Sequence, residues 1–81
     1  MPQETLKQLQ ADVEQTEAVD DTEAQAMLDL QNQIQRSIDD PEHNPTLIDM
    51  LNQSISTFQA HHPQLALSMR SAVDILSKGG I

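Results

Sequence analysis

The chain has 81 residues, thirteen acidic side chains against four basic ones, no cysteine and one aromatic residue, Phe58. That length holds a single domain, residues 1–81, and the absence of cysteine excludes disulfides and thiolate metal sites. A formal net charge of −9 argues against nucleic-acid phosphates and anionic membranes, both of which need clustered Lys and Arg.

Met1-Pro2 places a proline near a helix start, where its missing N–H costs little. Leu6, Leu9 and Val13 then recur at helical spacing among Gln, Glu and Lys, which predicts a first helix over about residues 3–17. Asp20 followed by Glu23 has capping-box spacing, with Val19 positioned to staple onto Ala24. A second helix is expected over 21–39, with a stripe of Met27, Leu30, Ile34 and Ile38 and with Leu28 to the side. The frequent glutamines here (Gln8, Gln10, Gln15, Gln25, Gln31, Gln33, Gln35) keep helical phase and read as solvated surface.

Asp39-Asp40-Pro41-Glu42-His43-Asn44-Pro45 breaks the pattern, because two prolines and an Asn do not continue a helix. Asn44 before Pro45 suits the N-cap of a third helix over 45–61, lined by Leu47, Leu51, Ile55 and Phe58. Pro63 biases His62 out of the α region and opens a fourth helix over 63–78, as a full break or as a kink. Its face is Leu65, Met69, Ala72, Val73 and Leu76, and Gly79 or Gly80 suits the left-handed C-cap with Ile81 folding back. The fold class is therefore all-α: a small bundle of about four helices, a hairpin over 3–39 followed by helices 45–61 and 63–78.

Little here points to chemistry. His61 and His62 are adjacent, so their side chains diverge by about 100° on a helix and lack the i, i+4 spacing of a helical metal pair. They read as structural, His62 capping the Pro63 helix and His61 touching the last carbonyls of the third helix. The serines on the predicted helices have no nucleophile elbow. The acid pairs Asp20-Asp21 and Asp39-Asp40 suit helix ends, and 39–50 has no glycine for a calcium loop. Met27, Met50 and Met69 read as core filler. No catalytic residue, cofactor or metal site is expected.

One resemblance rests on the C-terminal third. Phe58, then His62-Pro63 and Leu65, an amphipathic stretch and Gly80-Ile81 resemble a family of short bacterial proteins, domain of unknown function 4404. That resemblance implies a small all-helical protein and no activity; Gly79 departs from the pattern expected.

A domain this small without staples commonly gains stability by self-association. Ile48, Met50, Leu67 and Ile75 lie off the main stripes of the third and fourth helices and are the candidate interface. Residues 1–50 carry twelve acids against Lys7 and Arg36, whereas 51–81 are nearly neutral. The expected function is a protein–protein interaction or self-association module, a homodimer or the partner of an unidentified protein. The alternative is an acidic regulator that blocks a basic protein surface. No apolar run approaches the ~20 residues of a membrane span and no signal-peptide core opens the chain, so a cytoplasmic location is expected.

Overall fold

The computed structural model describes residues 2–79. Four helices follow in order: α1 (Pro2–Gln15), α2 (Asp21–Asp39), α3 (Asn44–Phe58) and α4 (Pro63–Gly79), with a 3-10 turn at Pro41–His43 leading into α3. The described residues contain no strand. Helix α1 packs on α2 and α4, and α3 packs on α2 and α4, while the diagonal pairs do not meet. Short connections make each neighbour antiparallel, so the chain is an up-down-up-down four-helix bundle of 36 × 19 × 19 Å.

The stripes read from the sequence become the core. Leu6, Leu9 and Val13 from α1, Met27, Leu30 and Ile34 from α2, Leu47, Leu51 and Phe58 from α3, and Leu65, Met69, Ala72 and Leu76 from α4 form one buried cluster. Each helix turns an apolar arc inward and its polar residues outward, as 3.6-residue periodicity requires. Ile38, Ile48, Met50, Ile55 and Val73 are half-buried against that cluster.

The helix ends depart from expectation in several places. Helix α1 stops at Gln15 and not near 17: the Thr16 hydroxyl donates to the Asp12 carbonyl at 2.7 Å, and the Thr16 N–H reaches Val13 instead of Asp12. Asp20 caps α2 as read, accepting the Glu23 N–H at 2.8 Å. Val19, however, leaves its side chain exposed, and the neighbouring Ala18 packs on the core instead. Asn44 is not an N-cap. It has helical angles (φ −54°, ψ −43°), because the 3-10 turn before it already supplies helical backbone. The capping carboxylate is Asp40, which accepts the Glu42 N–H at 3.1 Å. Helix α3 ends at Phe58, three residues before 61. The chain must reverse there so that α4 can lie back along α3, and Pro63 offers no N–H to extend the ladder. The proline marks a full break. Met27 and Met69 are buried and Met50 is half-buried, as core filler should be. Of the two C-cap alternatives, Gly79 is still part of α4 and shows no positive φ, while Gly80, with Ile81, lies outside the described residues.

The glutamine face is solvated, and two of its amides also make exposed bonds between helices. The Gln3 amide donates to the Ile38 carbonyl at 3.2 Å, and the Gln10 amide donates to the Gln35 side chain at 2.9 Å. These bonds tie α1 to α2 near the middle and at one end of the hairpin. The sequence offered no pattern that separates these glutamines from the ones that face water.

Phe58 is fully buried at the C-terminal end of α3. Phe58→Ala removes the one aromatic side chain from a small core and should cost roughly 3–5 kcal/mol, a large share of what a domain of this size possesses. Urea titration measures it; a loss below about 1 kcal/mol would contradict a central position for this ring.

Candidate functional site: a buried carboxylate shared by two loops

Glu23 lies on the apolar stripe of α2, four residues before Met27 and seven before Leu30. Its side chain is therefore carried inward, and the residue is buried. An ionised carboxylate is tolerated there only if its lone pairs are filled. Oε1 accepts the Val19 N–H at 3.1 Å and the His62 Nε2 hydrogen at 2.7 Å. Oε2 accepts from His61 Nδ1 at 3.2 Å. An ionised carboxylate is acceptor only, so the facing nitrogen of each imidazole carries hydrogen. The partners come from both connections at one end of the bundle: Val19 from the α1–α2 loop, His61 and His62 from the α3–α4 loop.

This arrangement corrects the reading of each residue in it. Glu23 does reach back from the first turn of α2, but to the N–H of Val19 and not to that of Asp20. His61 does not touch the last carbonyls of α3; it turns to Glu23. His62 occupies the N-cap position of α4 through its backbone, its carbonyl accepting the Ala66 N–H at 3.0 Å, while its ring turns to Glu23. The ring of His62 also lies 6.1 Å from that of Phe58, tilted by 54°. The two histidines are unequal: the His62 side chain is 14% exposed and that of His61 59%.

Burial alone would raise the Glu23 carboxyl above its ordinary range. The Val19 N–H, the hydrogen bonds from His62 and His61 and the charge of a protonated His62 outweigh that effect, and the net displacement is downward. Chemically the cluster is a clamp. Among the described residues no group of three His, Cys, Asp or Glu is placed to hold a metal ion. His43 lies apart, paired with Gln33.

The remaining surface feature is the outer side of α4. Leu67 is 58% exposed and Ile75 39% exposed. Ile75 also lines an open groove of about 280 Å³ between α1 and α4, with Leu9 beneath and Thr5, Gln8, Asp12, Ser68 and Ser71 around it. The other two candidate interface residues sit differently. Ile48 and Met50 are two positions apart on α3, so they lie about 160° apart around its axis, and each is half-buried against the core. They flank the buried stripe on opposite sides. Of the four candidate interface residues, Leu67 and Ile75 are the exposed ones.

The fold is a small antiparallel four-helix bundle with a buried carboxylate clamp at one end. The family model for a domain of unknown function (DUF4404) matches residues 3–81, and the chain belongs to that family. No curated protein and no solved structure matches it. Of the residues that carried the resemblance, Phe58 and Leu65 are core, His62 is in the clamp and Pro63 opens α4; Gly80 and Ile81 lie outside the described residues. No helix among the described residues is long and apolar enough to cross a membrane.

The downward displacement of Glu23 fixes the sign of its pH dependence. A carboxyl whose folded value lies below its unfolded one contributes stability above the ordinary Glu range, about 4.3, and loses it as pH falls through the folded value. Glu23→Gln should therefore lower the melting temperature at neutral pH and flatten the stability loss of the wild type on titration below about pH 4. Equal acid slopes for the two proteins, followed by circular dichroism, would remove Glu23 from the account. His62→Ala should lower the melting temperature more than His61→Ala, since His62 has the shorter bond and also contacts Phe58.

Proposed function

We propose that the protein is a non-catalytic helical module for protein–protein contact and that its partner is a second copy of itself. The single observation that supports this most is Leu67, a large apolar side chain on the side of α4 turned away from the core and 58% exposed. The charge distribution points the same way. Residues 2–43 hold eleven acids against Lys7 and Arg36, whereas α3 and α4 hold Asp49 and Asp74 against Arg70 and Lys78. Two copies repel through α1 and α2 and approach through α4. Both imidazoles of the α3–α4 loop are engaged with Glu23, which favours a structural use of the histidines over a catalytic one. A cytoplasmic setting suits a chain without cysteine.

A second reading has its own observation. The whole net charge of −9 is carried by residues 2–43, which suits an acidic regulator that covers a basic protein surface. Ionic strength separates the two, because apolar helix packing survives about 1 M salt, where charges are screened beyond roughly 3 Å.

Sedimentation across a hundredfold dilution tests the first reading. The expected outcome is a mass above 9.0 kDa at the highest concentration, lost on dilution, kept in high salt, and abolished by Leu67→Glu without loss of helix content. A mass of 9.0 kDa throughout, with a melting temperature independent of concentration, overturns self-association.

A further inference from the structure

The self-association reading leaves open how two α4 helices meet, and the spacing along α4 answers it. Leu67, Ser71 and Ile75 are four residues apart. Each step of four advances about 6 Å along the axis and turns about 40° around it. The three residues thus form an oblique row across the outer side of α4, two exposed apolar groups with a small exposed residue midway. We infer that the second copy crosses this row at Ser71, with the two α4 helices antiparallel and a two-fold axis between their Ser71 residues.

The two-fold makes the row complementary to itself. Rotation about an axis lying between the helices reverses direction along them but keeps the lateral side. Leu67 of one copy then comes to the height of Ile75 of the other, displaced to the opposite side, so the two side chains lie next to each other and not end on. The contact occurs twice. At the crossing point the rows would collide if the central residue were large, and serine lets the axes approach to the lower part of the roughly 8–10 Å range of packed helices. Charge fits as well. Asp74 and Arg70 lie on one lateral side of the row, so Asp74 of one copy comes beside Arg70 of the other, while Asp74 keeps its 3.2 Å pair with Lys78 and Arg70 its 3.3 Å bond to the Gln59 side chain of its own chain. The acidic hairpin supplies no such self-complementary row: its one large exposed apolar side chain within a helix is Leu28. A seam one helix wide falls well short of the roughly 800 Å² per partner of a standard interface, which makes the dimer a weak, concentration-dependent one.

This geometry rests on the self-association reading, and single-cysteine variants test the two separately. The chain has no natural cysteine, so Ser71→Cys carries the only thiol. Facing Cα atoms at such a crossing lie within the roughly 4.4–6.8 Å that a disulfide spans. At about 100 μM chain under mild oxidation, Ser71→Cys should form a disulfide-linked dimer at least about tenfold faster than Ser56→Cys, an exposed α3 position outside the row. Ser71→Leu adds apolar surface yet should weaken dimerisation of the full chain by about tenfold or more in sedimentation, by overfilling the crossing. If the wild type dimerises but Ser71→Cys links no faster than Ser56→Cys, or Ser71→Leu tightens the dimer, the crossing at Ser71 is overturned and self-association stands. If the wild type stays monomeric to about 1 mM and Ser71→Cys links no faster than Ser56→Cys, both fall.

Discussion

The bundle is organised at one end by a carboxylate that has to stay satisfied away from water. Glu23 is carried inward by the same periodicity that buries Met27, Leu30 and Ile34. Once there, it fixes what surrounds it. The α1–α2 loop must present the Val19 N–H, and the α3–α4 loop must bring two imidazoles to the start of α2. The conformations of both loops follow from one group's need for donors. The exposed side chain of Val19 follows too: its backbone is held for the carboxylate, and the core contact passes to Ala18.

The opposite end is built from weaker and more local parts. Asp40 caps a 3-10 turn, its neighbour residues pass almost directly from α2 into α3, and Gln3 ties the start of α1 to the end of α2. Two buried side-chain oxygens, those of Ser37 and Asn44, are without a hydrogen-bond partner in this half. An unpartnered buried hydroxyl loses its hydration without compensation. The two ends therefore differ in kind: one is pinned by a buried carboxylate that joins both loops, the other by local turns, apolar packing and one exposed amide bond from Gln3 to the Ile38 carbonyl.

The fold was largely legible because its cause is periodic. Leu6, Leu9 and Val13, and each later stripe, needed only a 3.6-residue repeat to be placed on one face, and the prolines at 41, 45 and 63 marked the interruptions. The helix ends were less legible. Whether Asn44 caps or joins α3 depends on the turn before it, and whether α3 runs to Phe58 or His61 depends on where α4 must lie. The clamp was legible in part. An acid on an apolar stripe, in phase with Met27 and Leu30, is a signal that a buried partner exists, but capping-box spacing at Asp20 and Glu23 offered a local explanation for it. Its partners at 61 and 62 are far along the chain, and no periodicity links them to residue 23. The interface residues show the same limit. Lying off a stripe meant exposure for Leu67 and Ile75 and a second flank of the core for Ile48 and Met50, because α3 and α4 each pack on two neighbours.

The sequence separation within the clamp has a kinetic meaning. Glu23 lies 38 and 39 residues from its two imidazoles. Hairpins α1–α2 and α3–α4 are local, whereas the clamp needs both loops complete and the two hairpins docked. On that ground its bonds are expected to form after the main barrier, which a φ-value near zero for Glu23→Gln would check. Interactions formed that late leave the folding rate almost untouched and act on the rate of opening. On that expectation Glu23 would act as a latch on the lifetime of the folded bundle and not as a guide to its formation.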